Sequence, residues 1–400
     1  MKILVLSFNF QPDLCAGSFR STALVKALQV KIASSDSIEV LTTTPNRYHS
    51  FSNQAPIFEQ KDNLIIRRIP LPAHKNSIFG QIFAFTFYAK SVLKYTKKYD
   101  YDLIYASSSR LFTALLGAMI ARRKPTLLFL DIRDIFSEAV LEAFQKPVFK
   151  FFMKIFLVPI LKMIEKFSVN TAQHLNLVSE AFADNFKYFK GNISFFTNGI
   201  DEVFLKHHFE HTPQNQPQII TYAGNIGNGQ GLEKIIPEAA KALEGKYIFN
   251  VIGDGNTQKL LAEKLSLLNV RNVNLFKPVS QEKLLDFYQK SDYLFLHLND
   301  AKAFEKVLPS KIFEYGASNK TILAGVNGFA RNFIEKNVAN VILFKPCNVE
   351  NLLEKLENHR FSTVNRSDFI EKFSRKTLMD EMSKIILAMI HSPNIEKNVV

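Results

Sequence analysis

The chain has 400 residues, 47% of them hydrophobic and 22% charged. That is long for one compact core and too apolar for extended disorder, so two globular domains are expected. The net charge of +13 asks for an anionic partner (nucleic acid, anionic lipid or a phosphorylated ligand), while two distant cysteines, Cys15 and Cys347, form neither a disulfide framework nor a metal-ligand spacing and fit a reducing compartment.

In chain order, short apolar runs alternate with amphipathic segments. Met1–Phe8 reads as a buried strand rather than a secretion signal, and no uncharged stretch approaches the ~20 residues of a spanning helix. First-half strands are expected at Ile3–Ser7, Ile38–Thr42, Leu64–Ile69, Leu103–Ala106, Thr126–Leu130, Leu175–Val178 and Ile193–Phe196. The polar, proline-marked stretch Phe209–Pro217 reads as a linker. Second-half strands are expected at Ile219–Ala223, Ile248–Ile252, Val273–Phe276, Tyr293–Leu298, Thr321–Ala324 and Val341–Phe344. Helices are expected at Leu232–Leu243, Gln258–Leu268, Gln281–Lys290, Ser310–Ala317 and Val349–Leu356. This alternation predicts an α/β chain of two Rossmann-like domains, whose parallel sheets face a central cleft. The expected domains are 1–208, 217–375, and a terminal helix within 376–400 packing back on the first domain.

In such sheets ligands sit beyond the carboxyl ends of the strands. After the first strand, Ala16-Gly17-Ser18 opens a helix, where small residues allow close backbone approach. The first strand of the second half runs into Gly224-Asn225-Ile226-Gly227-Asn228-Gly229-Gln230-Gly231, whose backbone N–H groups suit a diphosphate. Gly253-Asp254-Gly255 makes a second tight turn on the same edge. In Pro309-Ser310-Lys311-Ile312-Phe313-Glu314-Tyr315, Ser310 is a candidate N-cap. Lys311 and Glu314 share a helix face, suited to a phosphate and a ribose diol. A cation in the first turn opposes the helix dipole, so helix stability alone does not account for Lys311. Asp131, Arg133 and Asp134 follow a first-half strand. There a carboxylate could orient or deprotonate a hydroxyl, or cap a helix or pair with Arg133.

These motifs, in this order over nearly the whole chain, resemble a retaining GT-B glycosyltransferase of the family that includes bacterial O-antigen and capsule enzymes. Asn198-Gly199-Ile200-Asp201 and Phe204 belong to the same pattern, and Arg133-Asp134 looks like the fucosamine-transferase branch. The resemblance implies a nucleotide-diphospho-sugar donor, usually UDP-linked, with retention at the anomeric carbon and no metal. It implies that Glu314 holds the ribose, that Lys311 and the glycine loop hold the diphosphate, and that Gly17 faces the donor. Catalytic candidates are Asp131, Arg133, Asp134 and Lys311. Donor-binding candidates are Gly17, Gly224, Asn225, Gly227, Gln230, Gly253, Asp254, Ser310, Lys311 and Glu314. Many relatives of that family carry Arg and Lys at places that look like Asn225 and Gln230 here, and the resemblance then implies that phosphate neutralisation rests more on Lys311 and on backbone dipoles.

Phe149–Phe167 reads FKFFMKIFLVPILKMIEKF. Lys150, Lys154, Lys162 and Lys166 fall on one helical arc, Phe156 and other apolar residues on the opposite one, and Pro159 should kink the helix. Ile78–Tyr99 is similar. Both read as basic amphipathic helices for an anionic membrane, or as ordinary helices packed on the sheet. The expected partners are therefore a nucleotide-sugar, a polyprenyl-diphosphate-linked saccharide acceptor and an anionic membrane surface, with no nucleic acid and no cofactor. The expected place is the cytoplasmic face of the inner membrane. Alternatives are a GT-B UDP-sugar epimerase and a non-catalytic nucleotide-sugar-binding subunit.

Overall fold

The computed structural model describes residues 1–46, 55–72, 78–108, 111–135, 137, 151, 153–210, 216–359, 362 and 364–391. The chain divides into two units, Met1–Asn198 with Arg375–Val400, and Gly199–Ser374. The stretch read as a linker begins inside the second unit, where Phe209 is buried in the core.

Unit 1 is built on β1 (Lys2–Leu6), β2 (Ser37–Thr43), β3 (Phe58–Lys61), β4 (Leu64–Ile69), β5 (Leu103–Ser107), β6 (Leu127–Ile132), β7 (His174–Leu177) and β8 (Asn192–Ser194). They order as β3-β4-β2-β1-β5-β6-β7-β8. All neighbours are parallel except β3 and β4, which form a hairpin that the sequence pattern did not reveal. Its strand FEQK is mostly exposed and carries no apolar alternation.

Alternating side chains split the core between the two sheet faces. Leu4, Leu6, Ile104, Leu128 and Leu130 pack with Tyr88 of α2 (Ile78–Thr96), Ala118 of α3 (Leu111–Arg123) and Val169 of α4 (Val158–Thr171). Ile3, Val5, Leu103 and Phe129 pack on the other face with Leu24 and Leu28 of α1 (Ala16–Gln29) and with Met379, Met382 and Ile386 of the helix Arg375–His391. Those three residues are fully buried, so this helix is part of the first core although it follows the whole second unit in sequence.

A π-helical turn, Met153–Leu157, runs directly into α4, and Pro159 is the second residue of α4. A proline is favoured in the first turn of an α-helix, where its missing N–H costs least. The same rule corrects the helix expected over Leu232–Leu243. A 3-10 turn, Leu232–Lys234, ends first, and the helix restarts as Ile236–Ala242 with Pro237 in its first turn.

Unit 2 contains β9 (Gln218–Asn225), β10 (Tyr247–Asp254), β11 (Val273–Phe276), β12 (Tyr293–His297), β13 (Thr321–Gly325) and β14 (Val341–Phe344), all parallel, ordered β11-β10-β9-β12-β13-β14. The order reverses between β9 and β12, the topological switch point at which doubly wound sheets bind ligands. β12 pairs with β9 only at Tyr293–Ile220 and Leu294–Thr221, so the strands splay towards their carboxyl ends. The Tyr315 hydroxyl accepts a hydrogen bond from the Ala223 N–H in that gap, at 3.1 Å.

Candidate functional site

In unit 1, Asp131 is the last but one residue of β6 rather than part of the loop beyond it, and its side chain is fully buried. Its Oδ2 accepts from Arg20 Nε at 2.7 Å and Tyr105 Oη at 2.7 Å, and its Oδ1 from Arg20 Nη2 at 3.0 Å and Asn176 Nδ2 at 2.7 Å. Burial by itself raises the carboxyl, but the Arg20 guanidinium beside it more than reverses this and holds Asp131 below its ordinary value. All its acceptor positions are occupied, so the expected role in handling an acceptor hydroxyl is corrected to an internal anchor. Its partner is Arg20, not Arg133.

Arg133 Nη2 donates to Asn198 Oδ1 at 2.9 Å and Nη1 to the Ala16 carbonyl at 3.3 Å, which ties it to the start of α1 beside Gly17. Gly17 is the second residue of that helix and is buried. Asp134 is exposed, so of the two carboxylates it is the one open to solvent. Gly17, Arg133 and Asn198 thus form one group in unit 1, while every other expected donor residue lies in unit 2.

In unit 2, Gly224 and Asn225 end β9, and Gly253 and Asp254 end β10. Gly253 has φ 153°, and a Cβ there would lie 1.9 Å from the Gly224 carbonyl oxygen, so only glycine permits this backbone approach. Asp254 Oδ1 accepts from the Gly255 N–H at 2.7 Å and its carbonyl from Ile226 N–H at 2.9 Å, which tightens the second turn. In the loop after β9, the N–H groups of Gln230 and Gly231 return to the Gly227 carbonyl at 2.9 and 3.1 Å. Those of Gly227, Asn228 and Gly229 donate to no acceptor among the described residues. Unbonded N–H groups in a short loop at a switch point make a concavity for an anion.

Lys311 opens the helix Lys311–Gly316. Its side chain passes Gly224, where a Cβ would sit 3.6 Å from Lys311 Cε. Lys311 Nζ lies 2.6 Å from Glu314 Oε2, and the two side chains are 21% and 8% exposed. Tyr288 Oη donates to the same oxygen at 3.3 Å. Ser310 occupies the N-cap position without a side-chain hydrogen bond into the helix. Asn225 Nδ2 donates to Gln230 Oε1 at 2.8 Å, a neutral bridge across the loop.

Residues 203–372 match the family model described as glycosyl transferases group 1. The matched residues span almost the whole of the second unit. Over 100 residues the chain is 33% identical to a putative colanic acid biosynthesis glycosyl transferase of Escherichia coli. That match covers 25% of this chain and 24% of the relative, so the chain spans about a quarter of the length of the curated relative it matches. The fold extends over both units. A sucrose-phosphate synthase of Thermosynechococcus elongatus matches with a TM-score of 0.75 at 13% identity over 98% of this chain and 100% of that one. An Anabaena protein solved with UDP-glucose gives 0.65 at 15% over 97% and 99%, and a glycosyltransferase involved in lipopolysaccharide biosynthesis gives 0.62 at 14% over 98% and 98%. The chain has the GT-B fold, with two parallel-sheet Rossmann-like units.

Within the second unit, sequence reasoning missed His297 and Asn299. His297 is the last residue of β12 and is 1% exposed. Its Nε2 accepts from the Cys347 N–H at 2.9 Å, so Nδ1 carries the proton and donates to the Gln230 carbonyl at 2.6 Å. A single buried histidine in an apolar run gives no periodic signal. Only its place at a strand end on the ligand-binding edge could have singled it out.

Burial pushes His297 down to about 4, and does the same to His174 of β7, which stacks on Phe129 at 4.7 Å. Such groups leave stability unchanged above the unfolded value of 6.5 and withdraw it as pH falls from there towards about 4. Each is expected to remove up to about 3 kcal/mol at the acid end. The Tm of the wild type should therefore fall across that window, and His297→Asn should flatten its curve. Parallel Tm–pH curves for the two proteins would contradict this.

Proposed function

We propose that the chain is a retaining glycosyltransferase that moves an N-acetylated or deoxy sugar from a UDP-linked donor to a polyprenyl-diphosphate-linked saccharide, in bacterial surface polysaccharide synthesis. The observation that carries this reading is the loop Gly227–Gly229, with its unbonded N–H groups, in the same domain as the Lys311–Glu314 pair beside Gly224. The group 1 family match supports sugar transfer. The colanic acid relative supports the polysaccharide class, and the UDP-glucose complex of the Anabaena protein supports the nucleotide.

Breaking the sugar–phosphate bond builds negative charge on the diphosphate. Lys311 and the loop N–H groups stabilise that charge without a metal ion, because they are preoriented donors at a site of charge development. Glu314 takes the ribose diol. In unit 1, Asp134 orients or deprotonates the acceptor hydroxyl, and Arg133 and Gly17 shape that side.

A thermal-shift screen with UDP-, GDP- and dTDP-sugars, followed by transfer to a polyprenyl-diphosphate saccharide with and without a chelator, tests the reading. Stabilisation by UDP-sugars and chelator-resistant transfer are expected. No shift with any nucleotide sugar would sink it. The neutral Asn225–Gln230 bridge favours a second reading, a non-catalytic nucleotide-sugar-binding subunit. Binding without transfer to any acceptor would select it, and an epimer formed from a UDP-sugar alone would select epimerisation.

The membrane part rests on unit 1. Phe156 and Met163 are 65% and 66% exposed, beside the exposed Ile155 and Ile160. Lys154, Lys162 and Lys166 are exposed along the same segment, and Lys150 lies outside the described residues. On α2, Ile82, Phe83 and Phe87 are exposed as well. No helix among the described residues is long and apolar enough to cross a membrane. We therefore propose that these faces lie on the anionic inner leaflet of the cytoplasmic membrane. Replacing Lys154, Lys162 and Lys166 by Gln should weaken binding to anionic vesicles roughly 100-fold, at about 1 kcal/mol per lysine. Flotation assays at low and high salt measure this. Equal flotation of wild type and variant would remove the claim.

A further inference from the structure

Three consecutive carbonyls of the glycine loop are held by the end of β12. Asn299 Nδ2 donates to the Asn228 carbonyl at 2.7 Å, the Asn299 N–H to the Gly229 carbonyl at 2.9 Å, and His297 Nδ1 to the Gln230 carbonyl at 2.6 Å. In a trans peptide the carbonyl of one residue and the N–H of the next point in opposite directions. Pinning these carbonyls therefore aims the N–H groups of Gly229, Gln230 and Gly231 away from β12. Two of them close the turn on Gly227, and that of Gly229 remains unbonded among the described residues.

The donors are themselves fixed. The His297 ring stacks beside Phe295 and Phe344, at centroid distances of 5.9 and 6.0 Å, and those two rings also stack on each other at 5.9 Å. It passes so close to Gly325 that a Cβ there would sit 2.4 Å from His297 Cδ2. The Cys347 N–H sets the tautomer from the far side, with Cys347 held at φ 56°. Lys234 Nζ donates to Asn299 Oδ1 at 2.9 Å, which turns the Asn299 amide nitrogen towards Asn228.

We propose that His297 and Asn299 are positioning residues that preset the glycine loop for the diphosphate of the donor. The proposal rests on the reading of that loop as the diphosphate site. A loop with glycine at 227, 229 and 231 has much conformational freedom to lose when a ligand orders it, and a clamp made by the protein removes that loss before binding.

The test compares His297→Leu, which removes the donor, with His297→Asn, whose side-chain NH2 can take the place of Nδ1–H, by calorimetric titration with UDP. His297→Leu is expected to weaken UDP about 10-fold, with a more unfavourable binding entropy, and His297→Asn to stay within about 3-fold of wild type. Wild-type affinity in His297→Leu, or equal weakening in both variants, would overturn the clamp. If His297→Leu does not fold, Asn299→Asp serves instead. Its carboxylate cannot donate to Asn228, and an affinity for UDP equal to wild type would likewise overturn the proposal. If the wild type binds no UDP, the donor-site reading fails on its own. The clamp is then read from amide hydrogen exchange of residues 227–231 in the unliganded protein. Faster exchange in Asn299→Asp supports it, and unchanged exchange overturns it.

Discussion

Replacing Lys311 by Met is expected to lower kcat/KM for the donor by roughly 100- to 1,000-fold, the range typical of a lost donor to developing charge. Met keeps the stem beside Gly224 and removes only the ammonium. In the structure that ammonium is bound to Glu314, so the substitution also leaves a carboxylate that is 8% exposed with Tyr288 as its remaining hydrogen-bond donor. A stability loss of about 1–3 kcal/mol should accompany the kinetic loss. Two companions separate the effects. Glu314→Gln removes the charge but keeps an acceptor for Lys311, so it should raise KM for the donor more than it lowers kcat if Glu314 holds the ribose. Lys311→Met combined with Glu314→Gln should recover stability without recovering turnover. Transfer assays under donor saturation, with Tm measured on the same preparations, check both. Undiminished kcat/KM in folded Lys311→Met would remove Lys311 from the mechanism.

The second large effect is on unit 1. Asp131→Ala should cost about 3–5 kcal/mol, because it leaves the fully buried Arg20 guanidinium without its counter-charge. That is a large share of the roughly 5–15 kcal/mol that holds a domain folded. Arg20 also donates to the Phe196 carbonyl at 3.0 Å and to that of Thr197, and touches Met382 Sδ at 3.5 Å. The pair thus joins α1, β6, the segment before Asn198 and the helix Arg375–His391. Arg20→Met with Asp131→Leu should recover part of the loss. Denaturation midpoints of the wild type, Arg20→Met, Asp131→Leu and the double variant give the coupling energy, which should exceed about 1 kcal/mol. A loss below about 1 kcal/mol for Asp131→Ala, with transfer abolished in the folded protein, would return Asp131 to a chemical role.

Much of the fold was legible from periodicity. Runs such as Ile3–Ser7 and Tyr293–Leu298 are strands buried on both faces, and a parallel sheet needs such runs because helices cover both sides. The polar hairpin strand Phe58–Lys61 was not legible, since its stability comes from backbone pairing to β4 rather than from apolar side chains. Pro159 and Pro237 were visible as interruptions. Pro159 follows a π-helical turn and Pro237 a 3-10 turn, and which irregular turn precedes each proline is a matter of packing.

The candidate site divides the same way. Its composition was local and therefore readable: a glycine loop after a strand, and a lysine and a glutamate one turn apart on a short helix. The partners of each side chain were not. Asp131 and Asp134 are close in sequence, yet one is enclosed by Arg20, Tyr105 and Asn176 and the other is exposed. Arg20 is 111 residues from Asp131, and His297 is 67 from the carbonyl it holds. The two α/β halves, their strand-end loops and the residues placed in them follow from local pattern. Which of those residues are anchors and which are open to a ligand follows from contacts across the fold. A side chain's availability depends on the burial and hydrogen-bond partners brought to it by distant segments, and local pattern carries no record of them.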